Sequence, residues 1–127
     1  MSVFAIDSLL DASADKLIAD GDKIVLLDTY STVYATVVAG AIGEYVPTIT
    51  KGDAASNGRV AIVASASVPV TKAGPSTLIN YAIVNTTGSE VLLVGEVTLA
   101  SGAVSSGDTV NMPALNALII PDLVVGV

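Results

Sequence analysis

The chain carries twelve carboxylates but no histidine and no cysteine, so proton transfer or metal binding would rest on Asp and Glu. Carboxylate pairs act as general acid and base when burial or a close neighbour separates their pKa values. Glu90 and Glu96 bracket one apolar run, Val-Leu-Leu-Val-Gly. Held on a single strand, residues six apart share a face but stand about 20 Å from each other, beyond the roughly 5 to 9.5 Å that glycosidase carboxylates span. They read as solvated strand positions. Asp7, Asp11 and Asp15 are spaced by four and fall on one face of a helix. Calcium sites draw several oxygens from a tight D-x-D-x-D-G loop, of which Asp20-Gly-Asp22 is a fragment. An acidic face near a helix N-terminus needs no metal to be favourable. A serine nucleophile wants a base and an oxyanion hole, and without histidine that base would have to be lysine, in an S-x-x-K arrangement that we do not expect here. Gly52-Asp-Ala-Ala-Ser-Asn-Gly58 matches neither glycine-rich phosphate loop. We therefore expect no enzyme activity, no metal and no cofactor.

The elements that would position these residues are mostly strands. Asp7 or Ser8 can cap a helix whose apolar residues are Leu9, Leu10, Ala14, Leu17 and Ile18, ended by Gly21. From Asp22 onward the period changes. Lys23 to Asp28 is an apolar run of strand length, and the β-branched stretch Thr32 to Val38 predicts another strand. Gly40 to Gly43 breaks the chain before a strand over Glu44 to Thr50, with Pro47 marking a sheet edge. Gly52 to Gly58 is an exposed loop, Arg59 to Val70 one long strand, and Lys72 to Ser76 the next loop. Tyr81 to Asn85 and Glu90 to Leu99 then form a hairpin through Asn85-Thr-Thr-Gly-Ser89, where Gly88 can take positive φ. Ser105 to Asp108 is a second tight turn, and Ala117 to Pro121 a last apolar strand. The fold class is mainly β, an antiparallel β-sandwich or barrel-like arrangement preceded by one N-terminal α-helix. At 127 residues a single domain is expected, with residues 1–21 as N-terminal segment and helix and 22–127 as sandwich.

Composition narrows the function classes. Apolar residues make up 52% and charged residues 13%, about half the usual charged share, and mean hydropathy is +0.75. A small chain has proportionally more surface than core, so this shortage of charge predicts surface covered by other subunits. A membrane helix would need about 20 consecutive apolar residues, and Tyr34 to Gly43 and Leu123 to Val127 are too short. One Phe, four Tyr and no Trp cannot furnish the aromatic girdles of a membrane barrel. No membrane is expected as partner. The opening Met-Ser-Val-Phe-Ala-Ile-Asp lacks a basic n-region, which predicts synthesis in a cytoplasm. A net charge of −7 with scattered Lys16, Lys23, Lys51, Arg59 and Lys72 argues against nucleic acid. Tyr30, Tyr34, Tyr45 and Tyr81 can anchor an interface, stack on sugars or pack the core.

One stretch carries a family resemblance. Tyr81-Ala-Ile-Val-Asn85, Gly88, Leu92-Leu93, Gly95, Leu99, Gly107-Asp108-Thr-Val110 and Leu118-Ile-Ile-Pro-Asp122 together resemble small bacteriophage virion proteins of the tail-fibre-like or head-decoration type. Lys23 to Tyr30 looks like their early strand, and Gly58 to Val70 like the strand before the motif. The chain departs from them in having Ala73-Gly-Pro-Ser76 where large aromatics often stand. The resemblance implies a virion structural protein. We expect a capsid decoration (cement) protein that stabilises the head, a homotrimer whose other partner is the major capsid protein. A tail-fibre or spike subunit taking part in host attachment is the alternative. The expected contact residues are Ser2, Val3, Phe4, Ala5 and Ile6, the loop Gly52, Asp53, Ala54, Ala55, Ser56, Asn57 and Gly58, and the tail residues Leu123, Val124 and Val125.

Overall fold

A computed structural model of the chain describes residues 12–53, 59–74, 78–98 and 105–120. In chain order the elements are α1 (Ala12–Asp20), β1 (Lys23–Leu27), α2 (Tyr34–Ala39), β2 (Ala41–Tyr45), β3 (Ile49–Asp53), β4 (Arg59–Val63), β5 (Ala66–Pro69), β6 (Leu78–Asn85), β7 (Glu90–Thr98), β8 (Thr109–Met112) and β9 (Leu115–Ile120). The fold is mainly β, with antiparallel sheets in a sandwich-like arrangement and an N-terminal helix, and among the described residues no sheet closes into a barrel.

Four strands in the order β2-β1-β6-β7 make the main sheet, every pair antiparallel. β1 and β6 are its central strands because their sequences are apolar at consecutive positions, the pattern of strands covered on both faces. Ile24, Leu26, Ile79, Tyr81 and Ile83 point inward and join Ala61, Val63, Val68, Val110 and Met112 of the other sheets, with Ala14 and Leu17 of α1, in one buried cluster. Val25, Leu27, Ala82 and Val84 point outward and are sealed by Val37 of α2. The main sheet is thus packed on both sides.

The second layer is a bent two-stranded ribbon. Residues 59–70, expected as one strand, break at Ala64 and Ser65 into β4 and β5, and the partner chain breaks at Pro113 and Ala114 into β8 and β9. Proline supplies no N–H to continue a ladder, so both chains bend at the same level. β3 pairs with β4 on one side of the bend. Past the bend the ribbon meets the main sheet, through a bridge from Gly43 to Val70 and a hydrogen bond of 2.8 Å from Thr71 N to Ile42 O. That contact turns the corner between layers.

α1 packs against β3 and β4 by its buried Ala14 and Leu17, and Lys51 of β3 donates to Asp15 at 2.7 Å. Of the expected apolar residues that are described, Ala14 and Leu17 are buried and Ile18 is exposed. Gly21 ends the helix, its N–H reaching Leu17 O at 2.8 Å. The expected cap and the residues Asp7 to Asp11 lie outside the described residues.

Three local expectations are corrected. Thr32 to Val38 is not a strand: Tyr34–Ala39 is helical, because Tyr34 and Val37, one turn apart, both reach the outward cluster. The segment expected to break the chain is instead strand β2, and Pro47 sits between β2 and β3 rather than within a strand. In the β6–β7 turn the left-handed residue is Ser89, φ 52°, not Gly88. Asn85 explains the exchange, since its side chain accepts from Gly88 N at 3.1 Å and donates to Glu90 at 3.2 Å.

Candidate functional site

The carboxylate pair is separated more decisively than spacing alone predicts. Both glutamates lie on β7, but a bulge between Val91 and Leu93 shifts the register opposite Ile83 and Val84. Glu90 pairs with Asn85 on the inward side, and Glu96 pairs with Asn80 on the outward side. The expectation of a shared face is therefore wrong, and the bulge is the reason.

The other carboxylates of the described helix and its end are each engaged. Asp15 holds Lys51, and Asp20 accepts from Lys16. Asp22 accepts from Thr86 N at 3.0 Å and Thr86 Oγ1 at 2.6 Å. Those two bonds hold the Asp22 carboxyl below its ordinary pKa and tie the start of β1 to the β6–β7 turn. Among the described residues no group of three or more carboxylates is placed to share a cation.

The expectation that no S-x-x-K arrangement occurs is wrong at one place. Ser13 and Lys16 stand at the S-x-x-K spacing of serine–lysine acylases, and both line a cleft of about 270 Å³ between α1 and β7, with Leu17, Leu92 and Leu93. A general base needs a lysine pushed towards neutrality. Lys16 is pushed the other way, its pKa raised by the hydrogen bond and charge of Asp20. That keeps Lys16 protonated at neutral pH and unsuited to activate Ser13.

All five basic side chains have intramolecular partners. Besides Lys16 and Lys51, Lys23 donates to Glu44 at 3.2 Å, Arg59 to Asp53 at 2.6 Å, and Lys72 to Ala39 O at 3.3 Å. A phosphate-bearing partner would have to compete for each of them.

Of the expected contact residues, Gly52 and Asp53 end β3, opposite Val60 and Arg59. The Asp53 side chain is 85% exposed while that of Arg59 is 14% exposed, so the pair anchors the hairpin base. Ala54, Ala55, Ser56, Asn57 and Gly58 lie outside the described residues, as do Ser2, Val3, Phe4, Ala5 and Ile6 and the tail residues Leu123, Val124 and Val125.

The tyrosines divide by depth. Tyr45 and Tyr81 face the inward cluster, and burial pushes both phenols above their ordinary pKa. The Tyr45 Oη is buried without a hydrogen-bond partner. Tyr34 lies half-buried against the outward cluster. Tyr30 is 68% exposed, near Val33 at 58% and Val38 at 51%. These three apolar side chains crowd the short stretch around α2, a surface that reading 32–38 as a strand concealed. The spacing of Tyr34 and Val37, one helical turn apart, was the available signal.

No helix among the described residues is long and apolar enough to cross a membrane. No protein-family model, no curated protein and no solved structure matches this chain.

Proposed function

We propose that this chain is a structural protein of a bacteriophage virion: a capsid decoration, or cement, protein that stabilises the head, acting as a homotrimer on the major capsid protein. One observation carries the reading. A chain with only 13% charged residues engages every basic side chain internally and still presents Tyr30, Val33 and Val38 to solvent. Such a surface is suited to burial against protein. The glycine-punctuated strands between Tyr81 and Asp122, which resemble those of phage virion proteins, supply the setting. A cement subunit works by burying apolar area across neighbouring capsomers, at about 25 cal/mol per Å², which raises the cost of disassembly. Contact with several capsid subunits at once adds avidity.

The test is an image of the intact virion with the protein labelled, together with heat survival of particles lacking it. Density on the head and a lowered survival temperature are expected. Density along the tail alone, or selective binding on a glycan array, would defeat the cement assignment.

A further inference from the structure

We propose that the open edge of β7 and the cleft beside it form a docking groove for an extended segment of another protein. The proposal goes beyond the function above and does not depend on where the chain sits on a virion. β7 ends the main sheet and pairs with β6 alone, so among the described residues its outer row of N–H and C=O groups has no strand neighbour. The opposite edge is guarded. There β2 is a five-residue strand, bridged to Val70 through Gly43 and bonded to Thr71 through Ile42. Edges are normally blunted by shortness, lysine or proline. β7 is nine residues long, contains neither residue, and past its bulge pairs without a break from Leu93 to Thr98. Its run Val91-Leu-Leu-Val94 packs on both faces of the sheet, Leu92 and Leu93 inward and Val91 and Val94 outward, yet all four are only half-buried. That is the sequence of an interior strand placed at an edge.

The bulge adds a pocket to this edge. It inserts Leu92 opposite the step from Ile83 to Val84, so Leu92 and Leu93 both turn to the inner side and line the cleft against Ser13, Lys16 and Leu17 of α1. At about 270 Å³ the cleft is smaller than the roughly 300 to 1,000 Å³ of small-molecule sites, and it suits one or two side chains. A strand edge flanked by a side-chain pocket is the arrangement of β-strand addition, in which main-chain bonds supply affinity and the pocket selects the side chain. The occupant is therefore an extended segment, apolar at the residue that enters between Leu92 and Leu17. A second β7 fits less well, because it would bring its own Glu90 and Glu96 to a joint that already holds two glutamates.

Amide NMR of the full chain tests the proposal, with titration by three short peptides that alternate threonine with leucine, valine or phenylalanine, and by a control peptide broken with proline. At least one alternating peptide is expected to shift the amides of residues 92–98 and of α1, and to slow β7 amide exchange at least tenfold. The proline peptide should do neither. Ser13→Phe, at an exposed position on the cleft rim, fills the cleft and should raise the dissociation constant at least tenfold with an unchanged melting curve. Binding by none of the peptides, binding at another surface, or equal binding by Ser13→Phe overturns the groove. Protection of β7 that rises with protein concentration in the absence of peptide overturns the assigned occupant in favour of a second copy. No virion enters these measurements, so their failure and the failure of the cement assignment are told apart.

Discussion

Replacing Gly95 with alanine tests the packing of the main sheet at its tightest cross-strand contact. Gly95 on β7 lies directly opposite Tyr81 on β6, and the Tyr81 ring folds over the position where a side chain would be. A Cβ there would stand 2.5 Å from Tyr81 Oη, 2.6 Å from Cζ and 2.8 Å from Cε1. A flexible chain end could swing away, but this ring is rigid and only 7% exposed among Ile24, Leu26 and Ile79. Overpacking a filled site costs about 1 to 3 kcal/mol, and removing a glycine from a strand interior recovers about 0.5 to 1 kcal/mol. The net is a loss centred near 1 kcal/mol and at most about 2.5 kcal/mol, which at the centre is roughly 3 to 5 °C in melting temperature for a chain of this size. Urea unfolding followed by circular dichroism measures it. Tyr81→Leu shortens the side chain and clears the space over Gly95, so a double-mutant cycle should show coupling above about 1 kcal/mol. An equal penalty for Gly95→Ala in both backgrounds would refute the argument, as would a single variant as stable as the parent.

The Asp22 clasp predicts a specific acid limb. With its folded pKa depressed by Thr86, its stabilisation is fully present above the ordinary aspartate value of about 3.9 and is lost as pH falls through the folded pKa. Asp22→Asn should remove that part of the pH dependence in a stability series from pH 6 downward; an unchanged acid limb would count against the clasp. Val37 is fully buried beneath α2 and Val38 is exposed, so Val37→Ala should cost about 2 kcal/mol and Val38→Ala less than about 0.5 kcal/mol in chemical unfolding. Similar losses at the two sites would contradict the helix. Tyr45→Phe removes a buried hydroxyl with no partner and should raise stability by about 1 kcal/mol; a loss of that size in the same assay would mean the hydroxyl is satisfied.

Many strand positions were legible locally. β1 and β6 announce themselves by consecutive apolar residues, and the β6–β7 hairpin by the polar turn between two apolar runs. Strands on either side of the Gly52 to Gly58 loop were expected, but that β3 and β4 pair with each other was not read from the sequence. Nor was the surface around α2. Thr32, Val33, Val37 and Val38 are β-branched and favour a strand on propensity alone, yet propensity differences of well under 1 kcal/mol per residue yield to burying Val37 in the outward cluster. The bulge that parts Glu90 from Glu96 also left no local mark, because it is a relation between β6 and β7.

By itself the sequence determined which residue types were at hand and that the fold would be mainly β. Those properties depend on residue types and on nearest-neighbour alternation, which need no partner to be read. Tertiary structure alone decided that residues 34–39 coil across the sheet and that residues 59–70 bend with their partner strands at Pro113. Each outcome turns on burial supplied by a particular packed arrangement, and a pattern of residue types does not specify that arrangement until the chain has folded.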